Sequence, residues 1–280
     1  MQDSTFEKIY KPTELKLFLD SLGTKAKKSL SQNFLIDGNI LKKILKAADV
    51  HEGDLVLEIG AGPGALTQSM LETKAKIVAV EKDRIFANAL KRFTDVDVYE
   101  DDIMKFAIEK HIPKGSNAKV IANLPYHLTT PILSRVLPLH EHFQSVTVMV
   151  QDEVAKRFVA KPGCKDYSSI SVFLNIYSEP IYAFKVGRNC FYPAPKVDSA
   201  IVVLKLKPPP QINIEKFFEM TRQAFQHRRK MLKASLRDLY NSLHVVDALN
   251  QINKDPLSRP ENLSVDDFLQ FFLILQNARS

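Results

Sequence analysis

The chain has 280 residues, 45% of them hydrophobic and 25% charged, which suits a soluble globular protein of one large domain or a large one with a small companion. No apolar run, that at residues 271–275 included, exceeds five residues, far too short to cross a bilayer. The two cysteines, Cys164 and Cys190, have no metal-binding or redox spacing, so neither a metal site nor a disulfide scaffold is expected. The formal charge of +7 inclines the chain towards polyanionic partners, and the opening residues carry neither a signal peptide's apolar segment nor a presequence's arginines, so cytoplasm is the expected location.

Residues 1–23 read as an N-terminal arm to which no role is assigned. Asp37 is placed to cap a helix whose apolar stripe is Ile40, Leu41, Ile44, Leu45 and Ala48. From residue 55 to 204, strand-like runs alternate with helical patterns: LVLEIG at 55–60, KIVAVE at 76–81, VDVYED at 96–101, KVIANL at 119–124 and SVTVMVQ at 145–151. Two more, IYAFKV at 181–186 and AIVVLKL at 200–206, lie close enough in sequence to pair antiparallel at one edge, whereas 171–177 fits strand or helix equally. About seven strands at this spacing predict an α/β domain with one doubly wound sheet. Lys207 is followed by three prolines, a stiff linker. Beyond it the pattern turns helical, with Phe217, Phe218, Thr221, Ala224 and Phe225 on one face and a last helix over 265–275, so a helical C-terminal domain is expected from about 211. Between Met220 and Arg237 lie Arg222, Arg228, Arg229, Lys230, Lys233 and Arg237 with no acid, read as one basic helix; Lys25, Lys27 and Lys28 form a second basic group.

Two motifs carry chemistry. Residues 58–65, EIGAGPGA, follow a buried strand and open a helix, where glycines admit a ligand to the backbone. By spacing alone this is also a loose dinucleotide pattern, so a dehydrogenase is a rival. Glu81, at the end of the next strand, suits ribose hydroxyls in either case. Pro63 removes a donor that a pyrophosphate needs, and Glu58 sets a carboxylate where a sulfonium and an amino group are welcome, so S-adenosylmethionine is the favoured cofactor. Asp102, after the third strand, can accept from an adenine amine. The second motif is Asn123-Leu124-Pro125-Tyr126 at the end of the fourth strand. An adenine amine is a poor nucleophile because its lone pair is delocalised. The Asn123 side-chain oxygen and the Leu124 carbonyl can draw on its hydrogens, while Tyr126 offers an aromatic face that tolerates developing positive charge.

LSQNFLID, EIGAGPGALT, VAVEKD, EDDIM, ANLPYHLTTPIL, MVQDEVAKRF and FYPAPKVDSAIV occur in this order. In them the chain resembles the ribosomal RNA adenine dimethyltransferases over about residues 24–240, and most of all their bacterial small-subunit (16S) branch. That branch also carries an AFxxRRKxL stretch, here Ala224–Leu232. The resemblance implies a Rossmann-like class I methyltransferase fold, a seven-stranded mixed sheet over 24–207, with a small helical rRNA-binding domain over 211–280. It implies a cofactor pocket of Asn33, Leu35, Gly60, Glu81, Asp102 and Asn123, with Tyr126 and Phe191 sandwiching a flipped adenine. The chain departs from the pattern at His127, where Asn is common, and at His227, Met231 and Ala234 in the basic stretch.

The expected reaction is in-line methyl transfer to two adjacent adenosines in a hairpin loop near the 3′ end of 16S rRNA, within the assembling 30S particle, by a monomer. Arg222, Arg228, Arg229, Lys230 and Lys233 then contact RNA phosphates. Three rivals are a large-subunit rRNA methyltransferase of the macrolide-resistance type, a DNA adenine methyltransferase, and a non-catalytic RNA-binding assembly factor. The first usually lacks the RRK stretch, and the second normally carries a larger recognition domain than residues 211–280. Intact Gly60, Glu81, Asn123 and Tyr126 argue against the third.

Overall fold

A computed structural model describes residues 8–27, 30, 32–124 and 128–278. The chain divides into two compact units: the first takes residues up to Ala155 together with Ile181–Lys207, the second Lys156–Pro180 and Pro208–Ser280.

The chain opens with α1 (Pro12–Ser21), β1 (Phe34–Leu35), α2 (Gly38–Ala47), β2 (Leu55–Ile59), α3 (Ala65–Leu71), β3 (Lys76–Glu81), α4 (Arg84–Leu90), β4 (Val96–Glu100), α5 (Ile108–His111), β5 (Ala118–Asn123), α6 (Thr129–Val136) and β6 (Phe143–Gln151). There follow α7 (Asp152–Phe158), α8 (Ser169–Tyr177), β7 (Ser178–Val186), β8 (Phe191–Tyr192) and β9 (Ser199–Leu206). One seven-stranded sheet has the order β4-β3-β2-β5-β6-β9-β7. Strands β2, β3, β4, β5 and β6 run parallel, and β9 is antiparallel to β6. The expected mixed α/β sheet is therefore present, with the last two strands side by side at one edge. Strands β2, β3 and β5 read as almost unbroken apolar runs because helices cover both faces of a parallel sheet. Since β3 and β5 flank β2 on opposite sides, strand order reverses at β2, and a crevice opens at the carboxyl ends of these strands.

Asp37 caps α2 as expected, its Oδ1 accepting from the Asn39 and Ile40 N–H groups at 2.8 and 3.2 Å. The N-terminal arm contains α1, which starts at Pro12 and buries Leu15, Phe18 and Leu19 against Phe34 and Phe86, so it belongs to the core of the first unit. A short antiparallel pair joins β1 to β8, with Phe34 opposite Tyr192 and Leu35 opposite Phe191.

The stretch left open between strand and helix is α8. The Ser168 N–H donates to Ser171 Oγ at 3.1 Å and so fixes the helix start, and Phe173 and Tyr177, one turn apart, both meet the Phe218 ring. That aromatic packing explains why Lys156–Pro180 joins the second unit. This unit also holds α9 (Ile214–Gln226), α10 (Leu232–Ser235), α11 (Ser242–Gln251) and α12 (Val265–Asn277). The face expected of 217–225 is the buried face of α9.

The continuous basic helix over 222–237 is not found. Helix α9 stops at Gln226, and Arg228, Arg229 and Lys230 occupy a turn closed by the Lys230 N–H on the His227 carbonyl at 2.8 Å. Residues 227–230 offer no apolar side chain to bury. The next buried residue, Leu232, is pinned by its N–H to the Ser258 carbonyl at 2.9 Å, so the chain turns there instead of extending the helix.

Candidate active site

The crevice at the carboxyl ends of β2, β3 and β5 is a cavity of about 270 Å³. It gathers Asn33, Leu35, Gly60, Glu81, Asp102, Asn123, Leu124 and Phe191, which are all the described residues assigned by sequence to the cofactor or the base. Pro125, Tyr126 and His127 lie outside the described residues.

The glycine loop is the floor. Gly64, at φ +95°, is the N-cap of α3, and a Cβ there would stand 2.8 Å from Leu90 Cδ2 and 3.0 Å from the Phe93 ring, so only glycine fits. A Cβ on Gly60 would come 3.7 Å from the Asn123 carbonyl; its absence keeps the gap between loop and strand end open. Glu81 closes one side. Its Oε2 accepts from the Gly62 N–H at 2.8 Å and its Oε1 from the Asp83 N–H at 2.7 Å, fixing the carboxylate across the loop. Burial pushes the Glu81 carboxyl above the usual range, and the two N–H groups hold that rise in check.

Glu58 differs from expectation. It is 2% exposed, accepts from Thr67 Oγ1 at 2.6 Å, and burial aided by Glu81 pushes its pKa up to about 8. At neutral pH, with no cation beside it, this group is mainly a neutral acid rather than the fixed carboxylate the sequence suggests. It repels a pyrophosphate less than expected, and a cationic ligand is what would ionise it. Asp102 goes the other way. Lys82 Nζ at 2.8 Å and the Met104 N–H at 3.0 Å hold its carboxyl below the usual range, ionised and able to accept. Lys82 itself lines the cavity, a partner that sequence reasoning missed; its only signal was adjacency to Glu81.

Leu30, Gln32, Asn33, Phe34 and Leu35, before α2, also line the cavity. Lys27 Nζ meets Asp83 Oδ2 at 2.8 Å, Gln32 Nε2 meets the same oxygen at 3.1 Å, and the Lys27 N–H donates to Gln32 Oε1 at 2.8 Å. Burial works to raise the Asp83 carboxyl, but the bonds from Lys27 and Gln32 outweigh it and hold the group below its usual range. Of the second basic group, Lys27 is thus committed to Asp83, and Lys28 lies outside the described residues. The latch brings Asn33 to the strand end, where Asn123 Nδ2 donates to the Asn33 carbonyl at 3.2 Å. With the nitrogen so engaged, the Asn123 amide presents Oδ1 as its acceptor. Phe191, 4% exposed, enters from β8 opposite Leu35. No residue pattern near Phe191 announced this position; only the resemblance did.

Arg222, Arg228, Arg229, Lys230 and Lys233 are all in the second unit and none lines the cavity. Arg228 donates to the Lys165 carbonyl, while Arg222, Arg229 and Lys230 are exposed. Among the described residues no cluster of His, Cys, Asp and Glu can hold a metal, and no helix is long and apolar enough to cross a membrane.

These features agree with known proteins. A family model, Ribosomal RNA adenine dimethylase, matches residues 23–277. The "Ribosomal RNA small subunit methyltransferase A" of Protochlamydia amoebophila is 56% identical over 273 residues, covering 94% of this chain and 96% of the relative. That of Chlamydia caviae is 46% identical over 272 residues, covering 95% and 98%. Among solved structures, a dimethyladenosine transferase from Plasmodium falciparum superposes with a TM-score of 0.75 at 27% identity, covering 87% of this chain and 98% of that one. The 23S rRNA methyltransferase ErmE gives 0.67 at 25% identity, covering 87% and 100%. The sheet is that of the Rossmann-like class I methyltransferases, and the chain belongs to the ribosomal RNA adenine dimethylase family.

Proposed function

We propose that this chain is an S-adenosylmethionine-dependent rRNA adenine-N6 dimethyltransferase, acting on two adjacent adenosines near the 3′ end of 16S rRNA in the assembling 30S particle. The observation that carries this reading is the meeting, in one cavity, of an acid-bridged glycine loop with the Asn123-Leu124 strand end and Phe191. The small-subunit names of relatives 56% and 46% identical support it over the large-subunit alternative.

S-adenosylmethionine, when bound, supplies an electrophilic methyl group on a sulfonium. Glu81 is suited to hold a ribose and Asp102 an adenine amine, each with carboxylate lone pairs to spare beyond the bonds described. Glu58 is suited to the cationic methionine end. For the substrate, Asn123 Oδ1 and the Leu124 carbonyl accept from the target amine and favour a pyramidal nitrogen. Phe191 holds one face of the flipped base, and Tyr126 is assigned the other. The methylated amine is acidic and releases its proton to water, so no side-chain base is required. Arg222, Arg228, Arg229, Lys230 and Lys233 are assigned to rRNA phosphates, and Lys27 is not. The enzyme is read as a cytoplasmic monomer.

The test is mass spectrometry of 16S rRNA from a strain lacking this chain. The two adjacent dimethyladenosines near the 3′ end should be absent and return with the wild-type gene; their persistence would overturn the assignment.

A further inference from the structure

The mechanism leaves Arg92 unused, yet this residue, in the turn after α4, holds the glycine loop. Its Nη2 donates to the Pro63 carbonyl and its Nη1 to the Ala89 carbonyl, each at 2.8 Å. The guanidinium lies 4.6 Å from the centroid of the Phe18 ring and 4.2 Å from that of Phe93. It fits closely against the loop, since a Cβ on Gly64 would be 3.2 Å from Nη2. The Pro63 carbonyl shares its peptide plane with the Gly64 N–H, which donates to the Ala61 carbonyl at 3.0 Å, so Arg92 holds the second polar end of this peptide. A planar guanidinium can span two carbonyls while an aromatic ring covers its face, which a lysine ammonium cannot do.

Phe18 belongs to α1, in the arm to which sequence assigned no role. It packs with Ile9, Leu15 and Phe34. Phe34 in turn meets Phe86 edge-on at 5.3 Å and lines the cavity. Helix α1 therefore reaches the cavity by two routes, through Phe18, Arg92 and Pro63 to the loop, and through the apolar cluster to Phe34.

We propose that Arg92, held against Phe18, is a positioning residue for the glycine loop, which makes the N-terminal helix part of the cofactor site. The proposal rests on the methyltransferase reading above. Arg92 does not touch the reacting atoms; it fixes the Pro63 peptide that borders the cavity. Its loss should weaken cofactor binding and leave the methyl-transfer step itself intact.

The test is calorimetric titration of the full chain with S-adenosylmethionine, alongside methyl-transfer kinetics, for Arg92→Gln, Arg92→Lys and Phe18→Leu. Arg92→Gln should raise both Kd and KM for the cofactor about tenfold, with kcat at saturating cofactor within about twofold of wild type. Arg92→Lys should fall between, and Phe18→Leu should raise Kd about threefold. The double variant should bind less weakly than the sum of the two single effects predicts, because one of the two routes from Phe18 runs through Arg92. Wild-type Kd in Arg92→Gln would overturn the proposal. So would a reduced binding stoichiometry at unchanged Kd, which would mark Arg92 as a residue for folding alone. A wild-type chain that binds no S-adenosylmethionine would overturn the methyltransferase reading itself, and this proposal with it.

Discussion

Glu58 should make S-adenosylmethionine binding release protons. With a pKa of about 8, roughly nine tenths of the Glu58 side chains are protonated at pH 7 before a ligand arrives. A cationic ligand beside the group favours its carboxylate, so up to about 0.9 proton should leave for each S-adenosylmethionine bound at pH 7. Titration calorimetry in buffers of different ionisation enthalpy reads this number directly. Glu58→Gln should bring it close to zero while keeping an acceptor for Thr67 Oγ1. S-adenosylhomocysteine, which lacks the sulfonium, should release fewer protons than S-adenosylmethionine. The ligand-free chain supplies a second readout. A carboxyl raised in the folded state adds stability that is complete below about 4.5 and is lost as pH rises towards 8. Wild type should therefore lose up to about 1.4 kcal/mol per pH unit across that window relative to Glu58→Gln. Equal proton release by wild type and Glu58→Gln would refute the reasoning.

Two further changes test separate parts of the molecule. Gly64→Ala puts a methyl group 2.8 Å from Leu90 Cδ2 at a φ of +95°; it should cost about 2–4 kcal/mol, read as a lowered Tm, and abolish measurable cofactor binding. Replacing Arg228, Arg229 and Lys230 together with Gln should weaken binding to small-subunit particles and flatten the log Kd against log salt slope by about 2. An unchanged slope would return that turn to the role of a solvated surface.

The central sheet could be read from sequence because burial on both faces demands apolar runs, and LVLEI, KIVAVE and SVTVMVQ can do little else. Residues 171–177 defeated periodicity because an almost wholly apolar segment satisfies both periods. The helix was decided by the Ser168–Ser171 contact, a local cap that periodicity does not register, and by the Phe218 ring, which comes from far along the chain. The two-residue strands β1 and β8 stand some 150 residues apart, too short to leave a pattern, so Phe191 reached the site list only through resemblance. The basic stretch was drawn as a helix because its residues tolerate helix well. It breaks because propensity without a buried face does not hold a helix together. The raised Glu58 carboxyl follows from its burial, and the Arg92 contacts to Pro63 and Phe18 join residues far apart in the chain. No motif spacing encodes either.

The most direct measurement is transfer of labelled methyl from S-adenosylmethionine to small-subunit particles that lack the modification, comparing purified wild type with Asn123→Ala. The nitrogen of Asn123 is tied to the Asn33 carbonyl, and under the proposed mechanism its Oδ1 accepts from the target amine. The wild type should place up to two methyls on each of two adjacent adenines of 16S rRNA. Asn123→Ala should lose at least about a hundredfold in kcat, with cofactor Kd raised only a few-fold. Methyl transfer by Asn123→Ala at the wild-type rate, or label found anywhere other than adenine N6 in the wild-type reaction, would contradict this mechanism.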